Sequence, residues 1–457
     1  MGQVFDLLVL GGGPAGYPAA IRASQLGASV CLIEKGPLGG VCLNCGCIPT
    51  KTMHGLAHLI ELASGGEGKG VSGSIRCDAE GLFSHKDDVV KNLVSGVEKI
   101  LKGRKIEILK GSGRIVAPGE IEVEGYGIVR GSKIIIATGS SEIEIPGLGF
   151  DGRNILSSTH LLDLRRIPES MIVIGGGVIG SEFASIFSAF GTRITIVEML
   201  PSLISTEDIH VIRFFQSFMK KKGITLKLGS KVNRLEAARG QVTAGLDNGE
   251  NISAETALVS VGRSPNISGL GLEALEIKSD RNGILVNSRM ESSVEGVYAA
   301  GDVTGGYLLA HGATREGVIA AENALGGSRE IDYSSVPFTI YTLPEISHVG
   351  LTEGEAGEKG FETAVGRFPF AANGKAKGLR EEDGFVKWVA SKDDGRLLGL
   401  HIIGPQATEL ISAGILAIEK GMSVEDFEPV IFPHPTLSEA VGEAAEAVEG
   451  RAIHLLR

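Results

Sequence analysis

The sequence predicts an α/β protein: two parallel-sheet units of one plan, followed by a separate α+β unit. Two observations carry that reading. Residues 5–34 run FDLLVLGGGPAG, YPAAIRASQLG and ASVCLIE, which reads as strand, glycine-rich turn, helix and strand. Residues 171–198 repeat the plan as MIVIGGGVIG, SEFASIFSAFG and TRITIVE. The strands are continuous apolar runs, as expected when both sheet faces are covered. Each helix stops at a glycine, Gly27 or Gly191, a natural position just past a helix C-terminus. From about residue 335 the pattern changes. FTIYTLPEISHVG and GFVKWVASKDDGRLLGLHIIG read as antiparallel strands, with helical segments near 406–420 and 438–448.

Between these units the sequence is less regular. Residues 106–137 read as a meander of short strands broken at Gly111, Gly119, Gly125 and Gly131, and residues 225–260 resemble it more weakly. The stretch 137–149, ATGSSEIEIPGLG, reads as a linker. Pro18 falls inside the first helix, where it is expected to bend the early turns.

Composition narrows the function. The chain has 457 residues, of which 43% are apolar and 22% charged. At roughly 100–200 residues per domain this gives two to four domains. The 66 glycines are aperiodic and lie beside apolar runs, which indicates tight turns and close approach of backbone to a ligand. The formal net charge is −11 and no Lys/Arg cluster stands out, which argues against a nucleic-acid partner. No apolar run approaches the roughly 20 residues of a membrane helix. Met1 to Phe5 leads straight into an apolar strand without a basic leader, so a cytoplasmic location is expected.

Each glycine-rich turn carries a dinucleotide fingerprint. The first is Gly11, Gly13 and Gly16 followed by Glu34; the second is Gly175, Gly177 and Gly180 followed by Glu198. The first glycine allows the turn, the second lets backbone approach a pyrophosphate, and the third lets helix pack on strand. The helix N-terminus then faces the phosphates, and the acid is placed for ribose hydroxyls. Two such sites imply two dinucleotides exchanging electrons, one of them a flavin. Glu198 favours NAD over NADP, because a carboxylate suits a free 2′-hydroxyl and repels a 2′-phosphate. Arg193 is near in sequence but is expected to precede the strand.

Residues 39–51, GGVCLNCGCIPTK, gather three of the five cysteines. A helix-like stretch follows, with Pro49 suited to its first turn. Cys47 then lies at a helix N-terminus, where the dipole stabilises a thiolate. Lys51, four residues on, shares its face. A redox disulfide is the favoured reading; a zinc site using His54 or His58, and a set of buried thiols, are the alternatives. Residue types leave the pairing open between Cys42–Cys45 and Cys42–Cys47.

The stretch GGVCLNCGCIPTK resembles the redox-active signature of the pyridine nucleotide-disulfide oxidoreductases. The similarity continues through GGGPAGYPAAIRASQLG, ATGS, VGRSPN, YAAGDVTGGYLLAHGATREG, YTLPEISHVGLTE and HPTLSEA, essentially the whole chain. It implies two Rossmann-like FAD/NAD-binding domains plus an α+β dimerisation domain. The sections expected are 1–143 for FAD, 144–270 for NAD, 271–340 completing the FAD site, and 341–457 for the homodimer interface.

The same resemblance assigns the disulfide to Cys42 and Cys47, with Cys42 meeting substrate and Cys47 facing the flavin. It places Lys51 by the flavin, paired with Glu182, and Asp302 on the ribityl chain. Leu309, Ala310 and His311 would line the flavin, with Lys35, Gly40, Gly113, Thr138, Gly139 and Ser140 as further FAD contacts. Val178, Ile179, Val232 and Gly262 would join the second fingerprint around NAD. His434 and Glu439 would form an acid–base dyad serving the partner's cysteines. Read alone, a His before a proline with a carboxylate five residues on is a thinner signal for a general base.

The activity implied is transfer of electrons from protein-bound dihydrolipoamide, through the cysteine pair and FAD, to NAD. The implied partners are lipoyl domains of 2-oxoacid dehydrogenase or glycine cleavage complexes. The alternatives are reduction of another small disulfide, and a flavin-binding scaffold without catalysis. Cys45 stands in a slot usually not cysteine, and Phe432 and Pro433 depart from the usual run before the His-Pro-Thr motif.

Overall fold

The structure is a computed structural model and describes residues 4–64, 70, 72–73 and 75–456. Residues Met1–Gln3 and Arg457, part of the readings at the two ends, lie outside the described residues.

Strand Val4–Leu10 is the centre of the first sheet, parallel to Val30–Glu34 on one side and Gly127–Ile136 on the other. Leu7, Leu8 and Val9 are fully buried in succession, so both faces of the strand are covered. Helix Gly16–Gln25 connects the first two strands, and Gly27 follows it with φ +90°. Pro18 is the third residue of that helix, between Tyr17 and Ala19, whose amides donate to the carbonyls of Gly13 and Ala15 at 3.1 Å. Strand Val297–Ala299 returns from far along the chain to pair with Gly127–Ile136.

The meander reading of 106–137 needs correction in two places. Glu107–Lys110 runs parallel to Val30–Glu34 and belongs to the main sheet. Gly131 does not break its strand, which continues from Gly127 to Ile136. A Cβ at Gly131 would come within 2.6 Å of Leu8, so the glycine is there for close packing. The antiparallel part comprises 113–117, 120–123 and 127–136.

The second unit repeats the arrangement. Ser170–Ile174 lies between Arg193–Glu198 and Thr256–Val259, all parallel. Arg193 is the first residue of its strand. Strands 232–238, 241–246 and 251–254 form the antiparallel insert.

The last unit is a five-stranded antiparallel sheet in the order 338–340, 345–350, 397–404, 385–391, 363–369. Helices Ala407–Lys420 and Glu439–Ala447 pack on it. Trp388 is fully buried and its indole N–H donates to the carbonyl of Val441 at 3.0 Å, which fixes the second helix on the sheet. Register places His348, His401 and Lys387 directly opposite one another on three neighbouring strands. Glu207 and Asp208, from the second unit, meet this row: Glu207 lies 2.7 Å from His348 and Asp208 2.7 Å from Lys387. Among the described residues no helix is long and apolar enough to cross a membrane.

Candidate active site

The two fingerprints meet the same steric demand at their third glycine. A Cβ at Gly16 would lie 1.8 Å from the carbonyl oxygen of Gly11, and one at Gly180 would lie 1.9 Å from that of Gly175. Only glycine lets these helices seat on their strands. At the middle positions the space is open: the nearest atom to a Cβ on Gly13 is 3.8 Å away, and nothing lies within 4 Å at Gly177. That is the cradle a pyrophosphate requires.

Glu34 accepts from the amides of Gly12 and Gly36, both at 2.6 Å, and Glu198 accepts from Gly176 and Leu200 at 2.6 and 2.7 Å. Each acid is therefore locked at the strand end by its own loop, with lone pairs left for a ribose. The residues present fit one dinucleotide per unit.

Several later segments converge on the first cradle. Gly40 packs so closely on Gly13 that a Cβ would come within 2.7 Å of its Cα. Helix Ala310–Ala324, with Leu309 as its N-cap, is tied there through Thr314, which donates to the carbonyl of Pro14 at 3.0 Å. His311 donates to the carbonyl of Pro337 at 2.8 Å. Ser140 donates to Asp302 at 2.5 Å. Thr138 and Gly139 are held by hydrogen bonds to the backbone of Asn266.

Three further groups went unnoticed in the sequence. Arg263 binds both the hydroxyl and the carbonyl of Ser140, at 2.8 and 2.7 Å. Buried Glu316 accepts from the amide of Gly301 at 2.6 Å and from the Tyr333 hydroxyl at 2.9 Å. Two stretches already quoted for their likeness contain the first two, VGRSPN holding Arg263 and YAAGDVTGGYLLAHGATREG holding Glu316; Tyr333 carries no local signal.

Some expected contacts have another evident role. Gly113 admits no Cβ because Leu10, Ile121 and Ile33 press on it. Val232 is buried in a core with Val197 and Val259. Lys35 is exposed, and Gly262 has φ +122°. Val178 and Ile179 open the helix that follows Gly177.

Cys42 sits on the short helix Gly40–Cys45, and Cys47 is the first residue of helix Cys47–Ser64. All five cysteines are free thiols. The Cys42 thiol hydrogen-bonds to the Cys47 sulfur, which lowers the Cys47 pKa to about 7 despite burial, with Lys51 assisting. The same bond, together with burial, raises that of Cys42. Lys51 reaches both carboxylate oxygens of Glu182, at 2.9 and 3.0 Å. Burial works against its charge, but Glu182 outweighs burial and raises the Lys51 pKa.

Cys45 turns to Thr159, and burial raises its pKa. His54 and His58 do not converge on the cysteines: one donates to the carbonyl of Thr342 at 3.2 Å, the other lies 2.6 Å from Glu381.

His434 and Glu439 meet at 2.8 Å through Nδ1 and Oε1, and Glu439 also accepts from the amide of Thr436 at 2.8 Å. Burial favours the protonated carboxyl, but Thr436 and His434 together lower its pKa. The imidazole is 78% exposed, at a surface carrying Ile431 and Val430. With Nδ1 held, Nε2 is the nitrogen left for proton transfer.

Two family profiles span the chain. The pyridine nucleotide-disulphide oxidoreductase profile matches residues 5–317, and the dimerisation domain of the same enzymes matches 336–445. The chain belongs to the pyridine nucleotide-disulphide oxidoreductases, flavoproteins that use FAD together with a nicotinamide nucleotide. It is 42% identical to the dihydrolipoyl dehydrogenase of Thermus scotoductus, over 99% of each chain. It is 41% identical to that of Bacillus subtilis, over 99% of this chain and 100% of the relative.

Among solved structures, LpdA from Mycobacterium tuberculosis superposes with a TM-score of 0.91 at 26% identity, covering 96% of this chain and 98% of that one. The HOCl-induced flavoprotein disulfide reductase RclA from Escherichia coli gives 0.88 at 27% identity, covering 96% and 99%.

Proposed function

We propose that this chain is a dihydrolipoamide:NAD oxidoreductase, acting as a homodimer on lipoyl groups carried by partner domains of 2-oxoacid dehydrogenase or glycine cleavage complexes. The observation that carries the reading is Cys47 at a helix N-terminus, hydrogen-bonded by Cys42 and backed by the Lys51–Glu182 pair. That arrangement favours Cys47 as the thiolate and leaves Cys42 as the thiol that exchanges with substrate.

In the oxidised enzyme Cys42 and Cys47 form a disulfide. His434 of the other protomer takes a proton from one thiol of the substrate. The resulting thiolate attacks the Cys42 sulfur, the Cys42–Cys47 bond breaks, and Cys47 departs as a thiolate stabilised by Lys51. The second substrate thiol then displaces Cys42: the proton held by His434 passes to the departing Cys42 sulfur, the proton of the second thiol passes to the freed imidazole, and the oxidised dithiolane is released. FAD, which the Gly11–Gly13–Gly16 cradle and Glu34 would hold, would supply the acceptor for the electron pair left on the cysteines and the hydride chemistry towards NAD. Glu439 keeps the imidazole oriented through Nδ1.

The test is a comparison of substrates. Purified protein should reduce NAD with dihydrolipoamide and fail to oxidise NADPH with glutathione disulfide. The reverse preference would overturn the substrate assignment.

A further inference from the structure

Lys51 has a third neighbour besides Cys47 and Glu182. Its Nζ lies over the ring of Tyr341, 4.5 Å from the centroid. Tyr341 comes from the segment between strands Phe338–Ile340 and Glu345–Gly350, within the part of the chain that matches the dimerisation domain. The same residue also grips the other half of the ion pair, because its backbone N–H donates to Oε1 of Glu182 at 2.8 Å.

The ring is braced from behind. His54 meets it edge-on at 5.9 Å and 84°, and His54 is itself anchored to the carbonyl of Thr342. One residue on, the amide of Leu343 donates to Ser185 at 2.9 Å, on the helix that carries Glu182. Residues 341–343 thus join the redox helix to the Glu182 helix. The ammonium has a carboxylate and an aromatic face around it from two distant parts of the chain, and a sulfur one turn away on its own helix.

We infer that Tyr341 is a positioning residue for Lys51: its ring face holds the ammonium in register with Cys47, while its amide fixes the carboxylate that partners that ammonium. The inference rests on the reading of Cys47 as the working thiolate. An aromatic face attracts a cation through its quadrupole and, unlike a second carboxylate, adds no negative charge that would oppose the thiolate. The charged and titratable groups facing this cluster are Tyr17, Cys42, Cys45, Cys47, Lys51 and Glu182 around the sulfurs, and His54, His58 and Glu345 around Tyr341.

The two functions of Tyr341 are separable, because a side-chain change leaves the amide in place. Tyr341→Leu removes the aromatic face and Tyr341→Phe retains it. The readout is the acid edge of the long-wavelength thiolate-to-flavin absorbance of the two-electron-reduced holoenzyme, followed against pH. Tyr341→Leu should move that edge up by about one pH unit, a tenfold loss of thiolate at a given pH below it, while Tyr341→Phe stays near the parent value. An unmoved edge in Tyr341→Leu, or an equal shift in Tyr341→Phe, would overturn the inference. Cys47→Ser separates the two levels: a band that survives in Cys47→Ser removes the underlying assignment of Cys47, whereas a band lost there but unshifted in Tyr341→Leu removes the role of Tyr341 alone.

Discussion

Lys51 and Glu182 stand 131 residues apart in the chain, yet the ammonium of one touches both carboxylate oxygens of the other at 2.9 and 3.0 Å. The pair joins the redox helix of the first unit to the fingerprint helix of the second. Lys51→Met removes the cation beside Cys47, so the thiolate edge should rise from about 7 towards the ordinary value of 9. Reactivity that depends on the thiolate would then fall at neutral pH and recover in alkali. A pH titration of the reduced enzyme checks this.

The exposed dyad makes a prediction about the assembly. His434→Gln should lower turnover of dihydrolipoamide by about 10²–10⁴-fold, with little effect on NADH-driven reduction of ferricyanide, which needs no proton from that imidazole. Mixing His434→Gln with Cys42→Ser subunits should restore partial dithiol activity, because one of the two sites in a hybrid dimer would be intact. Activity confined to unmixed parent dimers would place the dyad and cysteines in one chain.

The second cradle separates packing from binding. Gly180→Ala forces a Cβ into the Gly175 carbonyl and should destabilise the whole unit, whereas Gly177→Ala meets open space. Gly177→Ala should therefore keep its melting temperature and its flavin and raise the KM for NAD. Thermal unfolding and steady-state kinetics distinguish the two variants.

The buried row where the last unit meets the second predicts a pH-dependent stability. His401 is fully buried, and its pKa is pushed down from 6.5 to about 4, chiefly by loss of solvation and also by His348. The folded protein thus keeps the ring neutral where the unfolded chain would protonate it. This contribution to stability is complete above pH 6.5 and is lost as pH falls towards 4, by about 3 kcal/mol in all. Urea unfolding across that window should show the slope, and His401→Leu should flatten it. Lys387→Met strands Asp208 and should cost about 3–5 kcal/mol at neutral pH.

What was legible in the sequence was local. Gly11, Gly13 and Gly16, with Glu34 behind them, announce a cradle because each answers a steric demand within some twenty residues. Cys47, Pro49 and Lys51 announce a thiolate for the same reason. The misread positions show where locality fails. Glu107–Lys110 looks like any short strand, and its parallel partner is fixed by the core. Gly131 has the chemistry of a turn residue but serves to admit Leu8. The helix Ala79–Gly103 passed unremarked, although Asp78 ahead of it is a proper N-cap. Arg263, Glu316, Tyr341 and the Glu207–His348 and Asp208–Lys387 pairs act across long stretches of chain, and no spacing rule exposes them.

The most direct test of the account is an anaerobic titration of the holoenzyme with dihydrolipoamide, followed by visible absorption. A long-wavelength band from the Cys47 thiolate against the flavin should grow with added dithiol and be absent in Cys47→Ser. An undiminished band in that variant, or no band in the parent protein, would contradict it.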